Sequence, residues 1–200
     1  MKKLLSQNDK LKKTSKITGI KTFDFAIPAI KTCPFADACK KYCYANKGAY
    51  KWPVVKNKLQ WNFKQTKLKS FVKKINAEIK KHNIKAIRIH SSGDFYSKDY
   101  LNKWIEIIRE NPTVIFYAYT KSIPYFKSLF NIKKGFENDK LPKNFKVIYS
   151  YGGLKDSLIK NSDRHAKVFN EGDIKKSYAY TGDNDHIALG RNKKIGLIKH

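Results

Sequence analysis

The sequence predicts an α/β fold, a small or partial (β/α) barrel of the TIM type, with an open doubly wound sheet as the alternative. Three observations lead there. Short runs rich in Ile, Phe and Tyr alternate with longer amphipathic stretches. The runs that begin near residues 85, 113 and 145 are spaced by about one strand–helix unit. Each run stops at a polar or glycine-rich segment. Alternating strands and helices of this kind build a parallel sheet with right-handed crossovers.

The elements follow in order. Residues 1–21 are rich in lysine without a clear period, and read as an exposed basic arm holding at most a short helix. Residues 22–200 are expected to form one barrel-like domain, since a chain of 200 residues suits a single core. Phe23–Ile30 (FDFAIPAI) is the first strand, its regularity limited by Pro28. From Lys56 to Lys81 the pattern is helical: Leu68, Phe71, Val72, Ile75 and Ile79 share a face, and lysines fill the other. Lys85–His90 (KAIRIH) is the second strand and Ser91–Ser97 a loop. Ser97 caps a helix that runs to Glu110 and ends before Pro112, with Tyr100, Leu101, Trp104, Ile105 and Ile108 on one face.

Thr113–Tyr119 is the third strand, Tyr125–Ile132 a short helix, and Phe145–Tyr151 a fourth strand that stops at Gly152 and Gly153. Leu154–Asn161 is helical by pattern, and Ala166–Asn170, Ser177–Tyr180 and Ile195–Ile198 are candidates for further short strands. Trp52, Trp61 and Trp104 are expected in the core.

Composition narrows the function. Hydrophobic residues at 41% and aromatics at 14% exclude a disordered chain. No apolar run approaches the ~18 residues of a membrane span, and no apolar segment follows the basic start. The expected location is therefore the cytoplasm, with no membrane partner. A formal net charge of +27 draws nucleic acid or other polyanions. The basic residues are nearly all lysine, however. The arginines, the residues suited to bidentate readout, are Arg88, Arg109, Arg164 and Arg191. A lysine excess with abundant Asn and Ile also fits an A/T-rich genome.

Cys33, Cys39 and Cys43 carry the strongest chemical signal. They are the chain's 3 cysteines, spaced C-x5-C-x3-C directly after the first strand. An odd, clustered set is a poor disulfide framework and a good metal-binding one. Three thiolates suit a [4Fe-4S] cluster, with one iron left open. A closed zinc site needs a fourth ligand, for which His90 is the nearest candidate. Lys40, Lys41 and Lys47 would favour an anionic cluster.

In parallel α/β folds, sites form at the carboxyl ends of the strands. That rule gathers the cysteine loop, Ser91-Ser92-Gly93-Asp94, Thr120-Lys121-Ser122 and Gly152-Gly153 on one rim. His90, Ser92, Gly93, Asp94, Thr120 and Lys121 are the ligand-binding candidates. Asp94 suits an amine or hydroxyl, Gly93 permits close backbone approach, and Lys121 suits a carboxylate or phosphate.

The blocks CPFADACKKYCYA, RIHSSGDFYSKDYLNKW and FYAYTKS, in this order across roughly residues 20–130, resemble the phage-encoded gene product 88 family; the ending KIGLIKH is similar as well. A more distant resemblance is to radical S-adenosylmethionine (SAM) enzymes, which also place three cysteines after the first strand of a partial barrel. It implies that Cys33, Cys39 and Cys43 ligate the cluster. It also implies that the open iron binds SAM, that Gly93-Asp94 hold its amine, and that an electron donor protein is a partner. The spacing here departs from the C-x3-C-x2-C of those enzymes, and Asp94 stands where they have glutamate. The alternative function is a zinc-stabilised nucleic-acid-binding protein.

Overall fold

A computed structural model describes residues 2–129, 141–180 and 182–199. Its centre is a six-stranded sheet, all parallel, with the strands in sequence order: β1 (Thr22–Phe25), β2 (Ala86–Ile89), β3 (Ile115–Thr120), β4 (Phe145–Ser150), β5 (His165–Phe169) and β6 (Lys194–Ile198). The order never reverses, so the sheet lacks the switch point that defines a doubly wound fold. β1 and β6 remain the two edges and the sheet is open. Six strands fall short of the eight that close a TIM-type barrel. The α/β class and the parallel sheet stand; barrel closure is not observed.

The helices are α1 (Asp9–Thr18), α2 (Pro53–Thr66), α3 (Phe71–His82), α4 (Lys98–Glu110), α5 (Ile123–Leu129) and α6 (His186–Leu189). α3, α4 and α5 cover one face of the sheet, where Phe71, Ile75, Leu101, Trp104 and Phe126 pack on Phe25, Ile87, Ile89 and Phe116. Complete burial of a side chain of this size contributes roughly 1.5–3 kcal/mol. α6 lies on the other face, against Ala86, Tyr117, Ile148, Ala166 and Ile195. The Ser97 hydroxyl accepts from the Tyr100 N–H at 3.2 Å and starts α4 where the cap was expected. The Asn144 side chain donates to the Ile108, Asn111 and Val114 carbonyls and closes its far end.

Several expectations need correction. Residues 2–21, expected as an exposed arm, are anchored to the domain. Leu4, Leu5 and Leu11 are buried, and the Leu4 and Leu5 N–H groups donate to the Glu78 carboxylate at 2.6 and 2.9 Å. Three leucines among lysines suffice to anchor the segment. The helix predicted over 56–81 is two helices. The break falls after Thr66, where the Lys103 ammonium donates to the Thr66 and Leu68 carbonyls. Leu154–Asn161 holds one short 3₁₀ turn at Asp156–Leu158, because Asp156 folds back to accept from the Gly152 and Gly153 N–H groups. Ser177–Tyr180 contributes a single bridge, Ala179 to Ile195. The predicted helix at Tyr125–Ile132 is seen to Leu129; its last residues lie outside those described. Trp104 is in the core, whereas Trp52 is 60% exposed. No helix among the described residues is long and apolar enough to cross a membrane.

Candidate functional site at the carboxyl ends of the strands

The cysteine loop leaves β1 through Ile27 and turns at Pro28–Thr32. The Thr32 hydroxyl donates to the Pro28 carbonyl at 2.6 Å and the Cys33 N–H to the Ile30 carbonyl at 3.1 Å. The loop then docks on the segment after β4. Ala36 forms an antiparallel bridge with Gly153, the Leu154 N–H donates to the Phe35 carbonyl, and the Cys39 N–H donates to the Gly152 carbonyl at 3.2 Å. Gly152 has φ +96°, and a Cβ there would stand 2.9 Å from the Tyr42 hydroxyl and 3.5 Å from the Cys39 Cβ. The second glycine is equally constrained, since a Cβ on Gly153 would come within 2.7 Å of the Phe35 carbonyl. The two glycines are therefore what lets the thiol-bearing loop lie down on the sheet end.

The β2 loop joins the same rim. The Ile27 N–H donates to the Ser92 carbonyl, and the Ser92 hydroxyl returns a bond to the Ile27 carbonyl at 2.9 Å. Gly93, at φ +85°, leaves room for Ile27 and Thr32. Asp94 then ties in the β3 loop. One carboxylate oxygen accepts from the Thr120 hydroxyl at 2.6 Å and the Phe95 N–H at 2.7 Å; the other accepts from the Lys121 N–H at 2.8 Å. The Lys121 ammonium reaches the Ser150 hydroxyl at 2.9 Å, at the end of β4. Four loops distant in sequence thus meet, with Ser92, Gly93, Asp94, Thr120 and Lys121 among them. Asp94 is buried and spends three of roughly four acceptor positions within the protein.

Cys33 is pushed up to about 12, first by burial, then by the Asp94 carboxylate, with Cys43 and Cys39 adding to it. Burial also raises Asp94, against the hydrogen bonds that favour its charged form. All three cysteines are free and partly accessible.

His90 lies elsewhere. It ends in the aromatic core beside Phe95, Tyr100 and Trp104, with Nε2 at 2.7 Å from the Tyr100 hydroxyl. Burial, then Arg88, lowers its pKa to about 3. A zinc site that needs His90 as fourth ligand does not fit this placement. Among the described residues, no three His, Cys, Asp or Glu side chains are grouped to hold a metal ion. The thiolate ligands of a multi-iron cluster stand farther apart than the ligands of one ion. Cys33, Cys39 and Cys43 are free thiols on one loop, and thiolates are the soft donors that such clusters take.

A second polar group was not anticipated from sequence. On the inner face, Asp185 accepts from Arg88 at 2.8 Å and from the Tyr117 hydroxyl at 2.9 Å, and pairs with Lys10 at 3.1 Å. Burial pushes Asp185 up, but Arg88 and Lys10 outweigh it and hold the carboxyl below the usual range. The one signal in the sequence was an arginine inside a short, Ile-rich strand of a lysine-dominated chain.

The gene product 88 family profile matches residues 2–200, and the chain belongs to that family. Two similar proteins are the gene 88 proteins of Mycobacterium phages L5 and D29. The L5 protein is 34% identical over 102 residues, 45% of this chain and 43% of its own. The D29 protein is 33% identical over 105 residues, 45% of this chain and 42% of its own. The chain therefore spans less than half the length of either relative. No solved structure matches it significantly.

Proposed function

We propose that this gene product 88 protein binds a [4Fe-4S] cluster through Cys33, Cys39 and Cys43, with one iron left without a cysteine. The observation that supports it is the rim itself. Three free thiols sit on one loop, pinned by Gly152 and Gly153 to the end of a parallel sheet where chemistry is housed in such folds. When bound, the cluster would supply one-electron chemistry and an open coordination position. The chain's own residues shape what reaches it. Lys121 offers an ammonium to an anionic group and Asp94 its remaining acceptor position to an amine or hydroxyl, while the space at Gly93 is taken by Ile27 and Thr32 and serves loop packing. An electron donor protein is the expected partner, and SAM is the first small ligand to try, on the resemblance of the cysteine loop alone.

Anaerobic purification with iron and sulfide analysis tests the reading. Brown protein with about four irons and four sulfides per chain is expected, and Cys39→Ala should lower that content sharply. Stoichiometric zinc without iron, or no metal after reconstitution, would overturn it. SAM titration of the reduced protein by EPR then divides the two roles. A changed signal that Asp94→Ala abolishes supports a SAM enzyme; an unchanged signal with reversible reduction supports electron transfer or sensing.

A further inference from the structure

We propose that the lysine-rich surface running from the cysteine loop into α2 binds single-stranded nucleic acid, with Trp52 as its principal base-stacking platform. From Ala38 to Ala77 the chain carries 11 lysines and not one Asp or Glu. Lys40, Lys41, Lys51 and Lys56 are exposed. The positive field is therefore concentrated here, and acidic neighbours on the same stretch do not cancel it.

Aromatic rings stand within that field. Trp52 is 60% exposed, a large apolar surface left in water at the start of α2. Tyr44 is 41% exposed; its hydroxyl is held by the Ser91 carbonyl, and its ring stands 5.8 Å from that of Tyr50, two residues before Trp52. The three aromatic residues fall within the nine residues Tyr44–Trp52, which also carry Lys47 and Lys51. Exposed aromatics between lysines are how single strands are held: phosphates follow the charge and bases stack on the rings. The stretch has no arginine, so it lacks the fork that reads base edges in a duplex groove. An anionic membrane is the weaker match, because the exposed side of α2 beyond Val54 is Lys56, Asn57, Gln60 and Lys64, with no apolar stripe to insert.

This inference does not depend on the cluster, and its test needs no iron. Fluorescence anisotropy of the full chain would compare a labelled oligothymidylate, a duplex of equal length and anionic phospholipid vesicles, over a series of salt concentrations. The expected result is tighter binding to the single strand, with an affinity that falls steeply with salt. Trp52→Ala should weaken it about five- to hundred-fold, the worth of one stacked base, while leaving the salt slope and the duplex affinity unchanged. Lys51→Gln should instead weaken both nucleic acids and flatten the slope by about 0.7. Equal affinity for duplex and single strand, no effect of Trp52→Ala, binding to vesicles alone, or no binding would each overturn the proposal.

Discussion

The two faces of the sheet are built of different material. On the helix side Phe25, Ile87, Ile89 and Phe116 meet Phe71, Tyr100 and Trp104 in one apolar cluster. On the inner side Ala86, Tyr117, Ile148 and Ala166 surround a buried ion pair, Arg88 with Asp185. β2 supplies both: Ile87 and Ile89 point to the helices, Ala86 and Arg88 inward. A parallel strand buried on both faces ordinarily reads as a continuous apolar run. The helix face is held by apolar area, and tolerates exchange among side chains of similar volume. The inner face adds to its apolar residues a set of charges that depend on one another, so that losing one partner alone is costly. It joins α1 through Lys10 and Thr14, β2 through Arg88, β3 through Tyr117 and the segment before α6 through Asp185.

The comparison is broken most directly at Asp185. Asp185→Ala leaves the Arg88 guanidinium buried without its partner, and the expected cost is about 3–5 kcal/mol by urea denaturation. Replacing both partners, Arg88→Met with Asp185→Ala, should recover much of that loss. A cost for the single variant below about 1 kcal/mol, as for a surface pair, would mean that the inner face is solvated and the contrast is false.

Gly93 tests the rim that joins the faces. A Cβ there would stand 2.4 Å from the Ile27 side chain and 2.6 Å from the Thr32 hydroxyl, on a backbone with φ +85°. Gly93→Ala combines overpacking with a disfavoured left-handed conformation, for about 2–4 kcal/mol. Gly19, with φ +68° and open space around its Cα, is the control: Gly19→Ala meets the conformational cost alone, about 1–2 kcal/mol. Equal losses at the two glycines would show that the β1 and β2 loops do not pack as described.

What could be read from the sequence follows the range of the interactions. β2, β3 and β4 were legible because each is a short run of Ile, Phe and Tyr with a polar or glycine stop, and α4 because Ser97 and Pro112 bracket its apolar face. The meeting of the loops at the rim followed from the parallel order alone. The break after Thr66 was hidden, because Lys103 of another helix takes up the freed carbonyls. The inner ion pair was hidden because Asp185 lies 97 residues from Arg88, and nothing local announces it. The same holds for the use of Asp94's oxygens, which depends on Thr120 and Lys121. His90, as the last residue of its expected strand, was a candidate for the rim and equally for the core; β2 ends at Ile89, and the next residue turns its ring into the aromatic cluster.

That placement gives the helix face its own weak point, smaller than the other two and visible only in acid. His90 has its pKa lowered from 6.5 to about 3, so it stays neutral in the folded chain while the unfolded chain takes up a proton near 6.5. Its contribution to stability is therefore complete above that value and is lost as the pH falls toward 3. By linkage the loss between pH 7 and pH 5 is about 2 kcal/mol. His90→Gln, which keeps an acceptor for the Tyr100 hydroxyl, should remove this slope whatever it does to stability at neutral pH. Urea midpoints of the two proteins, measured at both pH values, decide it. A slope that survives the substitution would place the titrating group elsewhere, and would leave the helix face a purely apolar wall. A slope that vanishes with His90 would show that each face carries a buried polar commitment: on the inner side an ion pair, on the helix side a ring that must stay neutral.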